Sequence, residues 1–502
     1  MDAVRNRRGK PPEQPSIRRI RAGGACSPQR RCRHTGQVPM SRAAETNGSV
    51  RGTKGRPRNS DGAAPSLTKI LNLVRTGQAT TRQEIERTSE LGRAIVTDRL
   101  TTLTALDLVD ESELGVATGG RAPRLVRFNA NAGLVLVATL DQTALGVALS
   151  DLSGKLLTEH HEALDLNAPA EDIMSRLESL FEWILEKSAR TQKVWGIGIS
   201  VPAPVQTPSG GLLSTSPPIL PAWDGTAYVE RLIQTFKAPV WLRSSVETMA
   251  MGELHDGEVP PDSTMLFVKI GKRIGAGLVV DGKLYRGAQG AAGLIGQLPV
   301  ASDGLTGPLE LLAGSDTIAQ AGRSAAKEGE SPYLAEILAR GGEITSIDVG
   351  QAAQAGDVTA MEVMSRSGRL IGHVVAALAN MLNPSHIVLS GSVAQTNDIL
   401  LAAVREVVYG ESHPLVTRDL RITASRLGSS AGLIGGAAVV VDALFATEFL
   451  RSWITKGSPL GAPKFEKVIE VTRAALAHPE ADTPDIPSPP RKTDLRSKGN
   501  DA

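Results

Sequence analysis

Between Asn129 and about residue 450 the chain repeats one pattern: a short apolar run bounded by Gly, Pro or Asp, then a longer stretch with helical spacing. "GLVLVATLDQTALGVALSDLSGKLL" reads as two strands and a turn, and "KVWGIGISVPAPV" as a buried strand and loop. "TMLFVKIGKRIGAGLVVDGKLYRG" gives another hairpin and "SHIVLSGSVA" a late strand, while Asp357 to Met381 is a long helix. Strands separated in this way by helices predict an α/β domain of two related halves around a cleft. With 502 residues and 41% hydrophobic content, the chain is long enough for two or three domains with their own cores.

A different pattern precedes this domain, over residues 65–128. "SLTKILNLVRTG" sets Leu67, Ile70, Leu71 and Val74 on one helical stripe and stops at Gly77. A second helix begins near Thr81. After a turn around Ser89 to Gly92, a third turns Val96, Leu100 and Leu103 inward, which is helix-turn-helix spacing. Two strand-like pieces then flank "GGRAPR", where the glycines permit a tight turn. Together these predict a winged helix-turn-helix. Arg93, Thr97, Asp98 and Thr101 stay polar opposite the apolar stripe, Arg82 opens the preceding helix, and Arg121 and Arg124 sit where a wing meets phosphates. These seven are the candidate contacts to double-stranded DNA. An accessory three-helix bundle that binds no DNA is the alternative.

The ends of the chain lack periodicity. Residues 1–64 are rich in Arg, Pro, Gly and Ser, with roughly fifteen Lys or Arg against three acids before residue 61, so a disordered basic tail is expected. Within it "KGRPR" (Lys54 to Arg58) resembles an AT-hook core, although a solvated basic linker is the plainer reading. Both cysteines, Cys26 and Cys32, lie there beside His34; a chain with two thiols has no disulfide framework, and no metal or cofactor is expected. Residues 451–502 are expected to form a second disordered tail. The longest apolar run, Ala431 to Val441, is too short to span a bilayer, so no membrane partner and a cytoplasmic location are expected.

The order of motifs resembles the ROK family (repressor, open reading frame, kinase) over roughly residues 66–445. The matching stretches are "GIGISVPAPV", "LPAWDG", "IGAGLVVDGKLYRGAQGAAGLIG", "GPLELLAG" and "LANMLNPSHIVLSGSVA". The resemblance implies a two-lobed, actin-like ATPase-type fold, with a winged helix-turn-helix in front. It also exposes departures from the family's sugar kinases. Their DxGGT phosphate turn reads "TLDQT" here: Thr139 stands at the acid's place, and Asp141 and Gln142 replace both glycines. In the second glycine loop, "GKRIGAG", Arg273 replaces a glycine, and Asp141 and Arg273 are expected to approach one another across the cleft. The Asn-Asp pair that holds the kinases' general base is Ser244-Ser245 in "RSSVETMAMGE", and an unassisted serine cannot deprotonate an alcohol at neutral pH.

The family's sugar-binding ExGH turn reads "LIGQ", with Leu294 and Gln297 at the Glu and His positions, and a glycine of the sugar loop is Ala203. The cysteines of its zinc loop are replaced by Ala301, Asp303 and Pro308. What the resemblance implies is therefore a transcriptional regulator, of the repressor kind, with no catalytic residues. Its ROK domain would serve dimerisation or higher homo-oligomerisation and the sensing of a small sugar-like effector. The residues expected to line the effector site are Ser244, Ser245, Glu247, Gln297 and Glu310, with Trp223 nearby. A sugar kinase with an atypical site and a ROK domain used only to bind proteins are the alternatives.

Overall fold

In the computed structural model the described residues are 60–115, 122–141, 144–165, 168–205, 225–302, 304–396, 398–454 and 458–459. Cys26, Cys32, His34, the "KGRPR" stretch, Arg121 and Trp223 lie outside them.

Three helices open the described chain: α1 (Ser60–Arg75), α2 (Arg82–Ser89) and α3 (Arg93–Ala105). Thr81 caps α2 through a reciprocal pair in which its hydroxyl accepts from Glu84 N–H and the Glu84 carboxylate accepts from Thr81 N–H. The turn to α3 passes through Glu90 in the left-handed region (φ 57°) and Gly92 as N-cap. Val96, Leu100 and Leu103 are wholly buried, as the periodicity predicts. The strands β1 (Val109–Asp110) and β2 (Arg127–Phe128) pair antiparallel, and a Leu114–Arg124 bridge extends the ribbon toward residues outside the described set.

Lobe 1 follows as β3 (Leu134–Leu140), β4 (Ala144–Asp151), β5 (Leu156–Ala163), α4 (Ala170–Ser188), β6 (Val194–Val201), α5 (Gly225–Phe236) and β7 (Val240–Ser244). Its sheet has the order β5-β4-β3-β6-β7, with an antiparallel meander at one side and parallel strands at the other. The helix α6 (Ser245–Asp256) leads into lobe 2: β8 (Met265–Ile270), β9 (Ile274–Val280), β10 (Lys283–Tyr285), a small ribbon of β11 (Pro299–Ser302) and β12 (Leu305–Pro308), then the helices α7 (Leu309–Ala313), α8 (Ser315–Glu328), α9 (Pro332–Ala339), α10 (Ser346–Gln354) and α11 (Val358–Leu382). The lobe continues with β13 (His386–Ser390), α12 (Ser392–Thr396), α13 (Asp398–Glu411), α14 (Pro414–Thr417) and β14 (Arg421–Ala424), and the chain returns through α15 (Ser430–Leu444) and α16 (Thr447–Trp453). The second sheet, β10-β9-β8-β13-β14, repeats the first: a meander, then two parallel additions. The two related halves expected from the strand pattern are this repeated topology.

The halves meet at one helix crossing. α6 packs on the lobe 2 strands β8 and β9, α15 packs on the lobe 1 strands β3 and β6, and the two helices pack on each other. Glycine makes that approach possible. A Cβ on Gly435 would lie 1.6 Å from Thr248 O, and one on Gly252 would lie 2.1 Å from Ala431 O, so any larger residue forces the helices apart.

Two expected boundaries move. The first helix starts at Ser60, with Ala63 and Ala64 buried, rather than beyond residue 64. At the other end the boundary at residue 450 falls inside α16, because Trp453 is fully buried and Ile454 nearly so. Trp453 stacks edge-on against Trp195 at 5.6 Å, and Phe445 meets Phe128 at the same spacing. One apolar cluster thus joins α1 to α3, β3, β4, α15 and α16, and Arg75 of α1 donates to Asp442 of α15 at 2.7 Å. Among the described residues no single helix is long and apolar enough to cross a membrane.

Candidate functional site

Two regions carry the residues singled out by the sequence. On α3, Arg93, Thr97, Asp98 and Thr101 are all exposed, on the side of the helix away from Val96 and Leu100. Asp98 is paired with Arg99, whose Nε donates to Ser66 of α1, so that pair ties α3 to its neighbour. Arg82 is not a free cation: its Nε and terminal nitrogen donate to both oxygens of Glu111 at 2.9 and 2.5 Å, clamping α2 to the ribbon. That contact holds its guanidinium above the ordinary arginine range. Arg124 is exposed, at the far end of the described part of the ribbon, where it bridges to Leu114.

The second region is the cleft between the lobes, about 670 Å³ in volume. The parallel strand β7 ends at Ser244, which is buried and caps α6; Ser245, the first residue of that helix, is half-buried at the cleft wall. Among the described residues no imidazole or carboxylate hydrogen-bonds to Ser245 Oγ, while its carbonyl accepts from Thr248 Oγ1 at 3.1 Å. Gln297 and Glu310 line the same cleft. The Glu310 carboxylate is buried and fully engaged: Oε1 accepts from Arg273 and from Gln297 Nε2, each at 2.5 Å, and Oε2 from Ile274 N–H at 3.3 Å.

Glu247 departs from the expectation. It is buried and does not line the cleft; Oε2 accepts from Ser244 N–H at 3.1 Å and Oε1 from Arg286 Nε at 2.6 Å. As third residue of α6 it folds back on the helix start, where a carboxylate satisfies an orphan N–H and meets the positive end of the helix dipole. Arg286 also donates to Val205 O at 3.2 Å, so this cluster links lobe 2 to the loop after β6. Beside it Arg243 is pushed down to about 10, by burial first and by the like charge of Arg286 second, with Glu247 opposing. It remains a cation at neutral pH.

Asp141 and Arg273 both line the cleft, and each has an opposite charge beside it. Lys269 Nζ of β8 donates to Asp141 Oδ2 at 2.9 Å, and Arg273 donates to Glu310. Sequence reasoning missed Lys269. Its position in an apolar strand, "MLFVKI", was the available signal, since a lysine there must reach a partner or a cavity. Thr139 lies on β3 facing α15, where a Cβ on Gly432 would meet its Cγ2 at 2.9 Å.

Residues 140–443, which hold the second sheet, the cleft and all of the first sheet but β3, match the ROK family. The chain belongs to the ROK family. A xylose repressor of Caldicellulosiruptor bescii is 27% identical over 381 residues, 74% of this chain and 94% of that repressor. A glucokinase of Halalkalibacterium halodurans is 29% identical over 252 residues, 49% of this chain and 76% of the kinase. A solved ROK family transcriptional regulator, a homologue of the E. coli MLC protein, shares the fold with a TM-score of 0.65 and 23% identity, over 82% of this chain and all of its own. The actin-like, two-lobed ROK architecture is therefore the fold of this chain.

Proposed function

We propose that this ROK protein is a DNA-binding transcriptional regulator of the repressor kind, with a two-lobed domain that senses a small sugar-like ligand without chemistry. The observation that carries the reading is the pairing of an outward polar α3 face with a cleft whose base position is Ser245. The first suits a duplex: a helix of this kind enters the major groove, with its N-terminal residues at base edges and the ribbon at the backbone. The second removes the proton acceptor a sugar kinase needs. The match to a xylose repressor supports it, being longer at 381 residues than the family segment itself.

On this reading Arg93, Thr97 and Thr101 read bases, and Arg124 and Arg121 meet phosphates. Ser244, Ser245 and Gln297 face the ligand, whereas Glu247 supports the wall and Glu310 holds Arg273 and Gln297 in place. The chain forms homodimers, placing two α3 helices on a palindromic operator. Ligand binding releases DNA only if the ligand prefers one of two arrangements of the protein. The test is selection from a random duplex library, followed by calorimetric titration of sugars with and without the selected duplex. One enriched palindrome, weakened by one sugar, is the expected result. No enriched duplex, or phosphorylation of a hexose by magnesium-ATP, overturns it.

A further inference from the structure

The cleft offers a guest two kinds of wall. Around Lys269 and Arg273 the side chains are charged and already answered, by Asp141 and Glu310. Around Ser245 they are apolar. β6 and β7 run parallel with Val201 beside Ser244, so the loop after β6 and the start of α6 leave the sheet together, and Pro202, Ala203, Ser245 and Val246 all line the cleft. A Cβ on Gly275 would lie 3.1 Å from Val246 Cγ1 and 3.9 Å from Gly293 O, so Val246 stands against the loop that presents Leu294. Arg286 ties that loop to the one after β6, donating to Val205 O at 3.2 Å and accepting from Ala292 N–H at 3.1 Å through its own carbonyl. Leu294 is 46% exposed and lines the cleft as well. One leucine alone on a surface means little, but this one continues an apolar wall.

Hydrogen-bonding groups are few at that wall. Ser245 offers its hydroxyl, its carbonyl being bound by Thr248 Oγ1, and Gln297 offers its side-chain oxygen, its Nε2 being bound to Glu310. The Glu310 carboxylate already accepts from Arg273, Gln297 and Ile274. A free sugar carries hydroxyls on every side, and each one pressed on an apolar wall without a partner weakens binding. We infer that the ligand is a glycoside: its sugar ring meets Ser245 and Gln297, and an apolar aglycone, aryl or alkyl, lies against Val246 and Leu294. The aglycone takes the place of the anomeric hydroxyl and covers carbon that is otherwise wet. Leu294 is then the residue that tells a substituted sugar from a free one.

The inference rests on the cleft sensing a sugar-like ligand, and its test separates the two. Methyl and phenyl glycosides of glucose, galactose and xylose, in both anomers, are titrated calorimetrically into wild type, Leu294→Ala and Ser245→Ala, with phenol as a control. For one of these sugars the phenyl glycoside is expected to bind about tenfold more tightly than the methyl glycoside. Leu294→Ala should remove most of that advantage and leave methyl glycoside binding within about twofold of wild type, whereas Ser245→Ala should weaken both glycosides alike. Leu294 is partly in water, so its loss should leave the melting temperature in place; a variant that melts early is replaced by Leu294→Gln, which keeps the bulk and removes the apolar surface. A phenyl glycoside that binds no tighter than its methyl partner overturns the inference and leaves sugar sensing standing. So does an aryl preference that survives Leu294→Ala unchanged, or phenol that binds as tightly as the phenyl glycoside. Binding of no glycoside at all overturns both.

Discussion

The outer face of α3 and the floor of the cleft are both built from polar side chains, and they treat charge in opposite ways. On α3, Arg93 and Thr97 project into water and Arg93 has no charge partner among the described residues. In the cleft Lys269 is answered by Asp141 and Arg273 by Glu310, and behind its wall Arg286 is answered by Glu247. A surface that leaves its donors unanswered is prepared for an acceptor arriving from outside, as a phosphate backbone does.

If the cleft is the tightly specified region, the largest loss of stability should come from its joint. Gly435→Ala puts a methyl group into Thr248 O and should cost about 3 kcal/mol in urea unfolding; a loss below 1 kcal/mol would mean that α6 and α15 yield easily. The α3 face should behave oppositely. Arg93→Ala is expected to leave unfolding within about 0.5 kcal/mol of wild type while weakening binding to the selected duplex by about 1–3 kcal/mol, read by fluorescence anisotropy. Arg82→Ala sharpens the contrast, because its guanidinium is already held by Glu111. Its effect on duplex binding should be smaller than that of Arg93→Ala, and its stability cost within about 1 kcal/mol, as for other half-exposed pairs.

The smallest effect concerns Glu253, buried on α6 with Ser425 Oγ donating to its carboxylate. Burial first, and the like charge of Glu258 in addition, raise its pKa above the ordinary glutamate range, against the Ser425 bond. For an acid shifted upward the protonated form favours the fold. That stability is full below the unfolded-state value and is lost as pH rises through the folded one. Glu253→Gln keeps an acceptor for Ser425 and should flatten this decline in a pH series of urea unfolding. An unchanged profile would show that the carboxyl ionises in the fold at no cost.

Much of this was readable from local pattern. The Thr81 start of α2, the inward Val96, Leu100 and Leu103, and the two strand programmes follow from periodicity and capping, which act within a few residues. Ser244 and Ser245 at a strand-to-helix corner were legible for the same reason, as were Gln297 and Glu310 once the motif order was known. What could not be read depends on partners far along the chain. Lys269 and Asp141 are 128 residues apart, and Arg286 and Glu247 are 39 apart, so no spacing rule joins them. Glu247 was assigned to the ligand site because its type suits a sugar, yet its place as third residue of α6 already favoured the helix cap. Trp453 was assigned to a tail because one aromatic among polar neighbours has no period.

That tryptophan has a consequence for synthesis. α1 is made early and α16 late, yet the two pack together, and Trp453 sits in the cluster that holds Ile70 and Leu71. While the ribosome works through the intervening lobes, the first helix has α2, α3 and β2 to pack on, but the side that α16 covers has no native partner. A chain cut short before α16 therefore leaves the α16-facing side of α1, with its share of the Ile70 and Leu71 cluster, open to water.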